Sequence, residues 1–199
     1  MRRMNFDTER VAVILPGLLV RTEAGIILDA RSSVTLIRSE GLNILVDTSM
    51  VANRSMLLQA LQTQNLTPEN INVIVNTHCH RDHVGNNEIF PQAQIYAHQA
   101  CMQKRNFIKI NSFPYSLTRE IEIWETPGHS WDSITVLVKF EKIYAITGDA
   151  IPLKGNYENW IPPVIHVDAE QAIESMKRIV EIADIIIPGH DSPFFIKKK

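Results

Sequence analysis

The chain has 199 residues, of which 45% are hydrophobic and 21% are charged, and its formal net charge is −2 at pH 7. These are ordinary values for a globular protein, and they exclude disordered, collagen-like and coiled-coil chains. At about 150 residues per domain, the length predicts a single domain over residues 1–199. The small negative charge gives no reason to expect nucleic-acid binding, although it leaves such binding open.

The chain contains two cysteines, Cys79 and Cys101. Two cysteines cannot build a disulfide framework, which favours a reducing compartment over secretion. The apolar run 11–20 contains Pro16 and precedes no cleavage signature, so it is typical of a strand rather than a signal peptide. No stretch approaches the roughly 18 continuous apolar residues of a membrane span. We therefore expect a cytoplasmic protein without membrane contact, a structural role for Cys79, and Cys101 inside a helix.

Apolar periodicity and turn residues predict short strands through most of the chain. In the first half the predicted strands are 11–15, 25–29, 33–38, 43–47 and 71–75, with a helix over 53–65. In the second half they are 94–97, 120–125, 133–140, 142–147 and 185–187. A late helix is predicted to begin at Asp168, because Gln171 three residues later completes a capping box. The strand pattern by itself indicates an α+β protein.

Four residues that can bind metal lie within six positions, directly after the apolar run 73–75: His78, His80, Asp82 and His83. Neutral imidazole and carboxylate are ligands of Zn²⁺, and a catalytic zinc commonly keeps three protein ligands and one open position. On an extended stretch, His78 and His80 are two residues apart and point the same way. Asp82 and His83 lie just beyond and can turn toward a second metal. The segment therefore predicts a metal site.

Three more candidate ligands lie where a predicted strand meets a glycine. They are His129 after Gly128, Asp149 after Gly148, and His190 after Gly189. Glycine allows unusual backbone angles and a close approach of the backbone to a ligand. Together with the first cluster, the chain offers five histidines and two aspartates at four predicted strand ends, which strongly indicates a metal site.

This pattern, His-x-His-x-Asp-His followed by a distant His, a distant Asp and a last His, resembles that of the metallo-β-lactamase superfamily. The resemblance extends over almost the whole chain and includes Leu45-Val46-Asp47-Thr48, which is similar to the family's strand-ending aspartate. It implies a four-layer αββα sandwich, with two mixed β-sheets, helices on the outer faces and the site at one edge. The implied ligands are His78, His80 and His129 for one metal, Asp82, His83 and His190 for a second, and Asp149 as a bridge.

The resemblance also implies a cofactor and a chemistry. The implied cofactors are two Zn²⁺ ions, with iron or manganese left open because sequence does not fix the metal. A bridging hydroxide would attack an ester, thioester, lactone or similar acyl substrate, while Asp82 orients it and moves its proton. Asp47 would support the ligand imidazoles through hydrogen bonds. Because such a site is formally positive, we expect a small, anionic substrate.

Departures from other branches of the superfamily narrow this function. Asp149 stands where some β-lactamases use a cysteine, and His80 stands where diiron oxidoreductases of this fold carry glutamate, which favours hydrolases similar to glyoxalase II. The alternatives are a phosphodiesterase or endoribonuclease of the same fold and a mononuclear-iron persulfide dioxygenase. A non-catalytic metal-binding protein is disfavoured because every ligand position is filled. Only nine residues follow His190, too few for the helical C-terminal region with which glyoxalase II binds glutathione. Substrate contacts are therefore expected from loops or from the second subunit of a homodimer.

The segment 151–167 follows Asp149 and is rich in prolines and aromatic residues. A loop of this composition next to a bridging ligand is a candidate substrate wall, with Tyr157, Trp160 and His166 as the residues that would line it. Trp131 is expected either in the core or in a pocket wall. His98 is expected to be a surface or hydrogen-bonded histidine rather than a ligand.

Overall fold

The computed structural model describes residues 9–22, 26–102 and 107–197. In the first half of the chain the strands are β1 (Val11–Leu15), β2 (Leu18–Arg21), β3 (Ile27–Arg31), β4 (Val34–Ser39), β5 (Leu42–Val46), β6 (Val73–Val75) and β7 (Gln94–His98). In the second half they are β8 (Ile108–Ile110), β9 (Tyr115–Ser116), β10 (Ile121–Glu125), β11 (Ile134–Lys139), β12 (Ile143–Gly148), β13 (Ile185–Pro188) and β14 (Phe194–Phe195). The α-helices are α1 (Arg54–Thr63), α2 (Arg81–Val84), α3 (Lys154–Asn159) and α4 (Ala169–Ile182).

The strands form two six-stranded sheets and one separate hairpin. The first sheet has the order β1-β4-β5-β6-β7-β8, and the second has the order β14-β13-β12-β11-β10-β9. In the first sheet β5, β6, β7 and β8 pair in parallel, and in the second β12 and β13 do. The hairpin β2–β3 belongs to neither sheet. Both sheets are therefore mixed, as the resemblance implied.

Alternating side chains on each strand separate an inner layer from two outer ones. On β5, Ile44 and Val46 join the core between the sheets, while Leu45 between them packs on the opposite face. On β13, Ile185 and Ile187 face the same inner core, and Ile186 faces away. Because successive side chains of a strand point to opposite faces, both faces of each sheet need a cover. The inner faces cover each other.

Amphipathic helices cover the outer faces. The buried face of α1 places Leu57 and Leu61 in the outer core of the first sheet. The buried face of α4 places Met176 and Ile179 against the second sheet. The carboxylate of Asp168 accepts the Gln171 N–H at 3.0 Å, as the predicted cap requires. The four-layer αββα, α+β fold is thus confirmed.

The structure joins Cys79 and Cys101 in a disulfide, which the sequence did not predict and which agrees with the structural role expected for Cys79. Cys79 follows β6 and Cys101 follows β7, and these parallel neighbours end side by side, so the two Cα atoms are 5.8 Å apart. Cys101 is buried and follows the turn after β7, so the prediction that it lies in a helix is wrong. The two cysteines are 22 residues apart in the sequence and become neighbours only because β6 and β7 pair. None of the helices in the described part of the chain has the length and apolarity needed to cross a membrane.

Candidate metal centre

The candidate ligands meet because the ends of several strands meet. In the first sheet, Asp47 directly follows β5, and its backbone N–H donates to the Val75 carbonyl at the end of β6. The histidine-rich segment begins just after β6. In the second sheet, β12 leads into Asp149 and β13 leads into His190. Parallel strands present their carboxyl ends at a common edge, which is a usual place for binding sites. The edge is shared by both sheets.

One group of ligand atoms comes from His78, His80 and His129. The Nδ1 atom of His80 lies 3.0 Å from Nε2 of His78 and 3.0 Å from Nε2 of His129. One nitrogen cannot supply a separate proton to each of two neighbours, so hydrogen bonds alone do not account for both contacts. A cation shared by three lone pairs does, and imidazole is the commonest metal ligand.

A second group comes from Asp82, His83 and His190. The Oδ2 atom of Asp82 lies 3.8 Å from Nε2 of His83 and 3.5 Å from Nε2 of His190. Asp149 lies between the two groups, because its Oδ1 is 3.5 Å from His83 Nε2 and 3.2 Å from His190 Nε2. Its other oxygen, Oδ2, is 3.4 Å from His129 Nε2 in the first group. One carboxylate therefore offers one oxygen to each group.

Two buried atoms at this place lack hydrogen-bond partners: Nε2 of His83 and Oδ1 of Asp149. Leaving a buried polar atom unsatisfied costs about 1–3 kcal/mol, so such atoms are rare without a reason. Both atoms point into the space between the ligand groups, where a cation would satisfy them. The donor set of imidazoles and carboxylates fits zinc and other first-row metals.

The outward-facing nitrogens of three histidines are fixed by hydrogen bonds. Nδ1 of His129 donates to the Ile165 carbonyl at 2.7 Å, and Nδ1 of His190 donates to the Arg31 carbonyl at 2.9 Å. Nδ1 of His83 donates to Oδ2 of Asp47 at 2.7 Å. Because a carbonyl or carboxylate only accepts, the proton stays on Nδ1 and the Nε2 lone pair faces the other ligands.

Burial and neighbouring charges shift the pKa values of three candidate ligands. Burial holds the pKa of His78 well below its ordinary value, and neighbouring His83 adds to this effect. Burial would raise the pKa of Asp149, but His190 and His83 hold it well below its ordinary value. Burial would lower the pKa of His83, but Asp47 and then Asp149 hold it well above. Because a metal binds the neutral form of an imidazole, protons compete with the metal for these histidines, and metal affinity falls as the pH is lowered.

Glycine is required at the strand ends because the site is crowded. A Cβ atom on Gly189 would lie 2.2 Å from Oδ1 of Asp149. Gly148 has a φ of +48°, and a Cβ there would lie 2.3 Å from Oγ1 of Thr77. The sequence predicted a close approach at these glycines, and the structure shows which atoms make it.

The ligand groups lie at the bottom of an open cleft of about 410 Å³. The hairpin β2–β3 forms one wall with Leu19, Ile27 and Leu28, and the segment before α4 forms the other with Val164 and Ile165. Leu28 and Val164 are 65% and 67% exposed. The cleft thus combines a polar floor with two aliphatic walls.

The residues expected in a substrate wall lie elsewhere. Among the described lining residues of the cleft, Tyr157, Trp160 and His166 are absent. Tyr157 stacks on Phe194 at 5.3 Å between ring centroids, and Nδ1 of His166 donates to the Pro163 carbonyl. Trp131 is 57% exposed and so lies outside the core.

His98 is buried and hydrogen-bonded away from the ligand groups. Its Nε2 lies 2.9 Å from a carboxylate oxygen of Glu125, and its Nδ1 accepts the Ala100 N–H at 3.0 Å.

The sequence did not predict Val164 and Ile165 as lining residues, because two neighbouring apolar residues do not by themselves indicate a cleft. The only indication in the sequence was that these two residues belong to the segment 151–167, which follows the candidate ligand Asp149.

Asp47 carries several hydrogen bonds under the ligands, so its replacement is expected to weaken metal binding. Besides the His83 proton, its oxygens accept the Thr77 N–H at 2.8 Å and the Thr77 hydroxyl at 2.7 Å. Asp47→Asn removes the charge that holds the His83 proton in place, and we expect metal affinity to fall about 10- to 100-fold. Metal titration with a competing chelator measures this. Glu174→Gln, at an exposed position of α4 outside the cleft, should leave the affinity unchanged. Equal affinities for wild type and Asp47→Asn would contradict the role.

Comparison with known proteins identifies the family. Residues 29–111 match the family model of the metallo-beta-lactamase superfamily. A probable metallo-hydrolase of Methanocaldococcus jannaschii is 40% identical over 189 residues, covering 94% of this chain and 90% of that protein. An N-acyl homoserine lactonase of a Bacillus species is 27% identical over 199 residues, covering 87% of this chain and 79% of the lactonase.

A solved structure agrees with these relatives. The crystal structure of a candidate metallo-beta-lactamase from Thermotoga maritima has a TM-score of 0.77 at 19% identity, with 94% of this chain and 98% of that chain covered. At such low identity the likeness shows the fold, while the 40% identical relative, matched over nearly its whole length, shows the family. The chain therefore belongs to the metallo-beta-lactamase superfamily and is a metal-dependent hydrolase.

Proposed function

We propose that this hydrolase cleaves an ester, thioester, lactone or similar acyl bond at a dinuclear zinc centre. His78, His80 and His129 hold one ion, and Asp82, His83 and His190 hold the other. The observation that carries this proposal is Asp149, whose two oxygens face different ligand groups at 3.2–3.5 Å and 3.4 Å. A carboxylate so placed suits a bridge between two ions, and two-metal sites have ions about 3.5–4 Å apart.

When bound, two zinc ions lower the pKa of a water molecule toward about 7 and stabilise negative charge on a carbonyl oxygen. The chain's own residues do the remaining work. Asp82 lines the cleft and its side chain is 24% exposed, so its carboxylate reaches both the ligand group and the substrate space. It orients the attacking water and accepts its proton. Asp47 and the carbonyls of Ile165 and Arg31 keep the imidazoles in the orientation that this geometry needs.

The walls of the cleft and a relative support an acyl substrate with an apolar part. Leu28 and Val164 expose aliphatic surface directly above the polar floor, and covering such surface is favourable. The Bacillus relative is named as an N-acyl homoserine lactonase. A small molecule with an acyl bond fits both the floor and the walls.

His80→Ala is the most direct test of this function. His80 contributes the Nδ1 atom that lies 3.0 Å from both of its partners, so its loss is expected to empty at least one metal position and abolish hydrolysis. Elemental analysis should give two metal equivalents per wild-type chain and no more than one in the variant. The assay panel contains an ester, a thioester, a lactone and a phosphodiester.

The control and the contradicting results are separate. Gln99→Ala changes an exposed side chain outside the cleft and should retain metal and activity. Turnover of the phosphodiester alone would replace the proposal with a nuclease. One redox-active iron per chain, with oxygen uptake in the presence of a persulfide, would replace it with a dioxygenase.

A further inference from the structure

Arg21 is a cation on the wall of the cleft. It ends β2, and it lines the cleft together with Leu19 of the same strand. Val20, between them, is turned out and is 38% exposed. The hairpin therefore directs one aliphatic and one cationic side chain toward the space above the ligand groups.

Arg21 has no anionic partner among the described residues. Its Nε atom is buried and makes no hydrogen bond. Two arginines do have such a partner, since Arg10 pairs with Glu120 and Arg54 pairs with Glu88. Asp29 also lines the cleft, yet no ion pair joins it to Arg21 within 4.0 Å. A buried, unsatisfied guanidinium nitrogen carries a desolvation cost that a bound anion would offset.

The surroundings of Arg21 strengthen its attraction for an anion. Arg21 also borders an adjoining cavity of about 200 Å³, which shares Pro152 and Val164 with the cleft. The cavity is lined largely by apolar surface, and charges interact more strongly where water is excluded. Pro152 in turn accepts the His190 N–H through its carbonyl at 2.9 Å. Arg21 therefore lines both cavities together with Pro152, whose carbonyl accepts from the candidate ligand His190.

We infer that Arg21 determines specificity by binding an oxyanionic group, a carboxylate or a phosphate, on the substrate. This inference rests on the proposed function and adds that the substrate carries a second polar end, remote from its acyl bond. Guanidinium suits this role because its planar fork donates two parallel hydrogen bonds to such a group and stays charged at every relevant pH. The aliphatic walls then cover the part of the substrate between its two ends.

A matched pair of substrates tests the inference on the metal-loaded chain. The 4-nitrophenyl monoester of adipate and 4-nitrophenyl hexanoate have equal chain lengths, and the first carries a carboxylate too far from the ester to attack it readily. Arg21→Gln should lower kcat/KM for the adipate ester about 10- to 100-fold, the range of a charge-assisted hydrogen bond, and leave the hexanoate ester within about twofold. Arg21→Lys should restore part of the loss. An equal loss for both esters, or for neither, would overturn the inference.

Calorimetry gives a readout that does not depend on turnover. Glutarate and inorganic phosphate are titrated separately into metal-loaded wild type and Arg21→Gln, and the stronger ligand identifies the kind of oxyanion. We expect the variant to bind that ligand at least about tenfold more weakly, with an unchanged unfolding midpoint. Failure of wild type to hydrolyse either ester would contradict the proposed function, while the calorimetric comparison would still decide on Arg21. Equal affinities in wild type and Arg21→Gln would refute the inference.

Discussion

Asp149→Ala is expected to remove both metal ions and to lower hydrolysis more than about 100-fold, the upper end of the effect of a hydrogen-bonded support residue. The reason is that Asp149 is within 3.5 Å of His83, His190 and His129, so neither ligand group is complete without it. The removal of a single carboxylate also leaves the imidazoles with less compensating negative charge. Elemental analysis after gel filtration, together with the acyl-substrate assay, measures both effects.

Two further variants make this result interpretable. Asp149→Asn keeps the shape and one oxygen, so partial occupancy of one position is expected with loss of the other. Glu174→Ala removes an exposed carboxylate of α4 that lies outside the cleft, and it should leave the metal content unchanged. Two equivalents of bound metal in Asp149→Ala would show that the ions are held without a bridging carboxylate.

Gly189→Ala is expected to damage both the fold and the metal centre. The added methyl would lie 2.2 Å from Oδ1 of Asp149 and 2.9 Å from the backbone carbon of Gly148. Backbone cannot yield as a flexible side chain does, so the strand end must shift, at a cost of about 1–3 kcal/mol in the free energy of unfolding. Urea unfolding measures the stability of the metal-free chain, and chelator competition measures the metal affinity.

Gly155→Ala is the matched control for this substitution. Gly155 lies in α3, and the nearest atom to its added Cβ would be Nδ2 of Asn159 at 3.9 Å. Alanine in a helix is favoured over glycine, so stability should stay equal or rise by up to about 1 kcal/mol. Unchanged metal affinity in Gly189→Ala would show that the position of Asp149 does not depend on this contact.

The layers of the fold follow from patterns that are local in the sequence. The alternation in β5 and the helical period of α4 each predict a buried face, and the side chain of Asp168 caps the start of α4. Strand ends also bring candidate ligands together, because parallel strands finish at one edge. The side-chain atom used is not encoded in this way: His80 presents Nδ1, whereas His78 and His129 present Nε2.

The walls of the cleft could not be predicted because distant contacts place them. The segment before α4 is held by the bond from His129 Nδ1 to the Ile165 carbonyl and by the Val167 N–H donating to Gly128. These bonds turn Val164 and Ile165 toward the cleft, and the aromatic residues earlier in the segment pack elsewhere. The disulfide was missed for the same reason, since Cys79 and Cys101 become neighbours only when β6 and β7 pair.

The division of the ligands between the two sheets has a consequence for the whole molecule. His78, His80, Asp82 and His83 follow a strand of one sheet, whereas His129, Asp149 and His190 follow strands of the other. With the ligands proposed above, an ion bound by residues of both sets would connect the two sheets, and its binding would add to the free energy of unfolding. Removal of the metal is therefore expected to lower both the hydrolytic activity and the free energy of unfolding.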